Sequence, residues 1–166
     1  ATVDEARVGL WFAIITAAFL VGAATGGVLF GWLGDRIGRV KAMAYSILVY
    51  SAFTGLLYFV TSPAQMAGLR FVAAIGMGGE WALGVALVME VWSAKYRPLL
   101  AGLSGAAAIV GFLYVGAIGY VIKIDQTNWR ILAIVGAAPA LLTFLIRLFV
   151  PESHAWKAAQ TAKPTK

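Results

Sequence analysis

Long stretches without a charged side chain decide what this chain can fold into. Val8 to Gly34, Ala42 to Leu69 and Pro98 to Ile122 contain no Asp, Glu, Lys or Arg. Two more apolar stretches carry isolated charges: Phe71 to Val91 holds Glu80 and Glu90, and Ile131 to Val150 holds Arg147 near its end. A helix rises about 1.5 Å per residue and a hydrocarbon core is about 30 Å thick, so each stretch can cross a bilayer. With Pro63 in "TSPAQ" marking a turn, the pattern predicts an all-α integral membrane chain. Its five transmembrane helices fall at about residues 8–34, 42–62, 66–92, 98–122 and 130–150, within a bundle over 1–156. The polar residues 157–166 read as a disordered cytoplasmic tail. Charged residues make up 12% of the sequence, about half the share in a soluble domain, which excludes most soluble classes.

The absence of cysteine excludes a disulfide framework, a thiolate metal site and a cysteine nucleophile. A net charge of +6 would raise nucleic acid as a partner, but the basic residues sit in short bands between apolar runs, as topology signals do. Five spans put the termini on opposite sides. One side collects Arg36, Arg39, Lys41, Lys95, Arg97, Arg147, Lys157, Lys163 and Lys166; the other holds Arg7, Arg70, Lys123 and Arg130. The richer side is therefore expected in the cytoplasm, with the N-terminus outside. The first run is too long for a signal peptide, follows Asp4 and Glu5, and lacks a small-residue cleavage site. A chain that starts outside without a signal peptide reads as one whose preceding helix has been lost.

The segment "GWLGDRIGRVK" places Gly31, Asp35, Arg36, Gly38, Arg39 and Lys41 together. It reads as a connection of eight to eleven residues, in which glycines permit tight turning and Asp and Arg can pair. A plain basic loop with incidental glycines accounts for Arg39 and Lys41 but not for an Asp beside an Arg between two glycines. Here the sequence resembles the major facilitator superfamily, whose loop between its second and third helices reads G-x-L-x-D-R-x-G-R-[RK]. Gly31, Leu33, Asp35, Arg36, Gly38 and Arg39 match it. The third span is similar to the fourth helix of sugar-porter-type members, with Arg70, Gly76, Gly78, Gly79, Glu90 and Arg97 in the matching positions; Ala74, Ser93 and Pro98 depart from the pattern. The last span opens at Trp129-Arg130, contains Pro139 and ends in "PESHAW", similar to the family's P-E-S-P-R-W. Pro151, Glu152, Ser153 and Trp156 are retained, while His154 and Ala155 replace its Pro and Arg.

The resemblance implies a fragment covering helices two to six of a twelve-helix transporter, the partial N-terminal half of a major facilitator fold in the plasma membrane, of bacterial inner-membrane type. It also implies that Gly31, Asp35, Arg36, Gly38 and Arg39 form a gating latch. Alternating access needs two halves rocking about a midplane site, so the missing remainder is an expected partner beside the lipid bilayer, a small-molecule substrate and a proton.

Glu80 stands near the middle of the third span, where a carboxylate costs on the order of 3 kcal/mol to insert and marks a functional site by default. Facing a water-accessible cavity, it can take a proton on one side and release it on the other, the chemistry of a proton-coupled symporter. A packing role, paired with a polar group of another helix, is the alternative. Gly79-Glu80-Trp81 also looks like members that carry organic anions, such as sialate and metabolite:proton symporters. Arg70 precedes Glu80 by ten residues, about 15 Å along the axis and about 80° around it, which excludes a direct salt bridge. Arg70 is expected to snorkel to the interface or to attract a substrate anion. Glu80, Arg70 and Trp81 are thus the coupling or substrate candidates.

Glu90 and Arg97, with Glu152 and Arg39, are expected to form a cytoplasmic charge network made in one state and broken in another; an ordinary interfacial cluster is the alternative. Gly22 with Gly26, Gly27 with Gly31, and Gly102, Gly105, Gly111, Gly116 and Gly119 read as close-packing faces. Trp11, Trp32, Trp92, Trp129 and Trp156 fall near span ends as interfacial anchors, whereas Trp81 does not. "GMGGEW" lacks the strand and spacing of a dinucleotide fingerprint. His154 is the only histidine, so no catalytic triad or His metal cluster can be built, and no enzyme, cofactor or metal is expected. Two readings remain: a segment of a secondary active transporter for an organic anion, metabolite or sugar, and a non-transporting membrane remnant or assembly partner.

Overall fold

The computed structural model describes residues 4–123, 125 and 128–138, and positions 145, 149, 156, 158 and 161. The described residues form helices α1 (Glu5–Ile37), α2 (Arg39–Leu56), α3 (Pro63–Val91), α4 (Arg97–Ile122) and α5 (Ile131–Ala137), with a 3₁₀ turn at Leu57–Phe59. Four of them are long and apolar enough to span a membrane.

Local chemistry sets the ends. Asp4 caps α1 by accepting the Arg7 N–H at 3.3 Å, and Glu5 places a negative charge on the first turn. Ser62 caps α3 through the Gln65 N–H at 3.3 Å, with Pro63 following where its missing N–H costs nothing. The segment read as a connection of eight to eleven residues is helical almost throughout. Asp35 and Arg36 lie in the last turn of α1, Arg39 opens α2, and only Gly38 interrupts. Its φ of 110°, with ψ of 147°, is open to glycine and strained for other residues, and its N–H still closes on the Gly34 carbonyl at 3.2 Å. A single residue therefore turns the chain.

The boundaries differ from the expected spans accordingly. α1 runs past both ends of 8–34, and at 33 residues it is about 50 Å long, more than a hydrocarbon core. α2 starts at Arg39 rather than 42 and gives way to the 3₁₀ turn before 62, because Val60 is extended and Ser62 already caps α3. Of the fifth span, α5 and helical positions 145 and 149 are described; Pro139 and Arg147 lie outside the described residues. Where a disordered tail was expected, the described Ala158 and Thr161 are helical, with Thr161 Oγ1 donating to the Ala158 carbonyl at 2.9 Å.

α1 packs mainly on α3, and α2 lies on α3 and α5. The contacts are close because they are backbone against backbone. A Cβ at Gly26 would fall within the Ile75 carbonyl of α3, one at Gly78 within the Ala23 carbonyl of α1, and one at Gly76 2.5 Å from the Ser46 carbonyl of α2. The core is correspondingly small-sided: Ala42, Ala44, Ser46 and Ser51 from α2 and Ala73 and Ala74 from α3 are buried, with Phe30 and Leu83 filling one end. Not every predicted glycine face is a contact. A Cβ would meet only ordinary contacts at Gly27 and nothing within 4 Å at Gly31, Gly102, Gly105, Gly111 or Gly116. These four α4 glycines are exposed, in a helix that buries no residue among those described.

Candidate functional site

The antiparallel packing gives the bundle two ends and a middle. At the Gly38 end, Arg39 joins three helices. Its Nη2 lies 2.8 Å from Asp35 Oδ1 and its Nη1 3.4 Å from the Gly31 carbonyl, both on α1, while its Nε lies 3.0 Å from Glu90 Oε1 on α3. The Arg39 side chain is 17% exposed and that of Glu90 24%, against 66% for Asp35, so the contact across helices is the shielded one. Charge-assisted contacts are strongest where water is excluded. Glu90 Oε2 is buried and has no hydrogen-bond partner among the described residues.

Arg36 of the expected latch lies 4.0 Å over the Trp32 ring. Of the expected charge cluster, Arg97 Nε donates to the Trp92 carbonyl at 3.3 Å instead of joining Glu90. The short Trp92–Tyr96 connection turns Arg97 into the start of α4. Glu152 lies outside the described residues. A contact not expected from the sequence completes this end: Trp156 Nε1 donates to the Asp35 carbonyl at 3.1 Å, a carbonyl in the last turn of α1, where backbone acceptors lack helical partners.

In the middle, Glu80 is half-buried on α3 and Trp81 exposed beside it. Among the described residues nothing donates a hydrogen bond or ion pair to the Glu80 carboxylate, and Arg70, exposed nearer the start of α3, forms no ion pair with it. Sequence reasoning missed Tyr50 on α2. Gly76, between Arg70 and Glu80, brings the α3 backbone against the backbone of Tyr50. Nothing in the charge-free second run marks Tyr50; only the helix crossing sets it against Gly76.

At the Val60 end, Arg130 fixes the start of α5. Its Nε and Nη2 donate to the Tyr58 and Val60 carbonyls at 2.8 and 2.9 Å, and its guanidinium lies 4.7 Å over the Trp129 ring.

The whole chain is similar to known transport proteins. Residues 2–164 match the family model described as sugar (and other) transporter. The chain is 33% identical over 148 residues to an inner membrane metabolite transport protein of Escherichia coli, covering 89% of this chain and 33% of that one. It is 36% identical over 148 residues to the cis,cis-muconate transport protein of Acinetobacter baylyi, covering 89% and 35%. The inward-open xylose transporter XylE of Escherichia coli superposes with a TM-score of 0.75 at 24% identity, over 97% of this chain and 42% of that one, a likeness of fold. The chain thus spans about a third of the length of these curated relatives. A match along nearly its full length, with the same helical fold, means that this membrane chain belongs to the sugar (and other) transporter family of the major facilitator superfamily.

Proposed function

We propose that this chain forms part of a proton-coupled secondary transporter that moves a small organic solute, an organic anion, metabolite or sugar, across a bacterial inner membrane by alternating access. The observation that carries the reading is Glu80: a carboxyl midway along a spanning helix, half-exposed, with no partner among the described residues. An acid held so far from bulk water at such cost is retained for binding or proton transfer. Tyr50, packed on α3 at Gly76, would offer a hydroxyl to relay or orient the proton, and Arg70 the cation that would draw an anionic solute inward. The named substrates of relatives, a metabolite and a muconate, support a carboxylate-bearing solute.

In this reading the Arg39 clamp to Asp35 and Glu90 is the latch. It holds α1, α2 and α3 together at the end we assign to the cytoplasm and opens when the other half of the transporter swings away. Five helices do not enclose a midplane cavity, so the activity needs segments beyond this chain, as the length of the relatives suggests.

The test is uptake into proteoliposomes under an imposed pH gradient, with this chain alone and with a chain completed by a first helix and a second half, each with and without Glu80→Gln. The expected result is gradient-driven uptake by the completed protein, lost with Gln and absent from the chain alone. No uptake by any version across sugars and organic acids would leave a non-transporting remnant and remove the role of Glu80.

A further inference from the structure

We propose that Trp156 is a positioning residue of the Arg39 cluster: its indole holds the end of α1 so that the Asp35 carboxylate meets Arg39. The proposal rests on the latch reading for its purpose and on the contacts at the Gly38 end for its chemistry.

Asp35 is held from two sides by two different groups. Its carboxylate Oδ1 lies 2.8 Å from Arg39 Nη2, and its backbone carbonyl accepts the Trp156 indole N–H at 3.1 Å. The last four carbonyls of a helix have no partner within it. Here the chain leaves α1 at Gly38, whose φ of 110° and ψ of 147° turn it into α2. The indole thus brings one of those carbonyls a donor from a position 121 residues further along the chain.

The exposure of the ion pair gives this contact its purpose. The Asp35 side chain is 66% exposed, where water screens an ion pair and ordering two side chains offsets much of its gain. Such a pair is effective when its partners are held in place in advance. Arg39 is already held, by Glu90 Oε1 at 3.0 Å and the Gly31 carbonyl at 3.4 Å. Trp156 does the same for Asp35. A line of contacts therefore runs from Trp156 through Asp35 and Arg39 to Glu90, tying the helical position 156 to α1, α2 and α3. Ala155 stands where the resembled pattern has Arg, so the contact made beside it is a neutral one that salt does not screen.

The experiment uses the 166-residue chain in detergent micelles with isotope-labelled arginine and tryptophan. Magnetic resonance reads the exchange of the Arg39 Nε–H with water, its signal assigned by its loss in Arg39→Lys. Trp156→Phe keeps an aromatic ring and removes the donor. It should speed this exchange about three- to tenfold, the range that loss of one neutral hydrogen bond allows. Trp129→Phe, at the opposite end of the bundle, should leave the exchange unchanged. In return, Asp35→Asn, which keeps the carbonyl and removes the charge, should shift the Trp156 indole signal, because coupling between two sites acts in both directions. Circular dichroism equal to that of the parent chain verifies each fold; if Trp156→Phe loses helix, the shift in Asp35→Asn decides. Arg39 exchange indifferent to Trp156→Phe, or equally faster with Trp129→Phe, overturns the proposal, as does an indole signal unmoved by Asp35→Asn. Coupling with no uptake by any completed form keeps Trp156 in the cluster and removes the latch. No coupling beside gradient-driven uptake removes Trp156 from the cluster and leaves the transport reading standing.

Discussion

Gly26 and Gly31 lie five residues apart on α1, and the structure assigns opposite signs to the same substitution. A Cβ at Gly26 falls inside the Ile75 carbonyl of α3, and the next atoms, the carbonyl carbon and Cα of Ile75, are 2.6 and 2.7 Å away. All are backbone, so no rotamer change relieves the clash, and Gly26→Ala must push α1 off α3. Forcing a methyl into a packed interface costs about 1–3 kcal/mol, and rigid backbone on the receiving side places this site at the upper end. At Gly31 a Cβ meets nothing within 4 Å. There Ala removes only the conformational freedom of glycine in a helix, a gain of about 0.5–1 kcal/mol. The two variants should therefore differ by roughly 2–4 kcal/mol. The assay is loss of helical ellipticity on titrating the micelle-solubilised protein with sodium dodecyl sulfate, comparing midpoints at equal slope. A shift to lower detergent for Gly26→Ala and an unchanged or higher midpoint for Gly31→Ala is expected. Equal midpoints, or the reverse order, would refute the backbone-contact account of the α1–α3 interface.

Gly38→Ala should cost about 1–3 kcal/mol in the same titration, because a φ of 110° is strained for any residue with a Cβ. In a double-mutant cycle, Arg39→Gln and Glu90→Gln should each destabilise by about 1–3 kcal/mol. That is a buried-pair value reduced for partial exposure, and the double variant should cost clearly less than their sum; strict additivity would mean that the 3.0 Å contact is energetically idle.

Much of the architecture was legible because a bilayer imposes a simple rule. An apolar run of adequate length with few or no charges has no other stable home, so the long helices follow from Val8–Gly34, Ala42–Leu69, Pro98–Ile122 and, with its two acids, Phe71–Val91 without tertiary information. The rise and rotation of a helix likewise kept Arg70 apart from Glu80. The turn between α1 and α2 was legible in its residues and not in its form. Gly38 signals a break, yet sequence patterning does not say that one residue suffices, because that depends on whether Asp35 and Arg36 find helical partners.

The sequence by itself determined the membrane class, the breaks marked by Gly38 and Pro63, and the presence of a costly acid at position 80. Tertiary structure decided which charges meet. Arg39 reaches Glu90, 51 residues away, only because glycine contacts bring α1, α2 and α3 to backbone distance, while Arg97 turns away with α4. It also decided that Gly26 is a contact while Gly31, Gly102, Gly105, Gly111 and Gly116 are not, and that Tyr50 lies against Gly76. Helical periodicity places a residue on a face, whereas only the packing of helices says what that face touches.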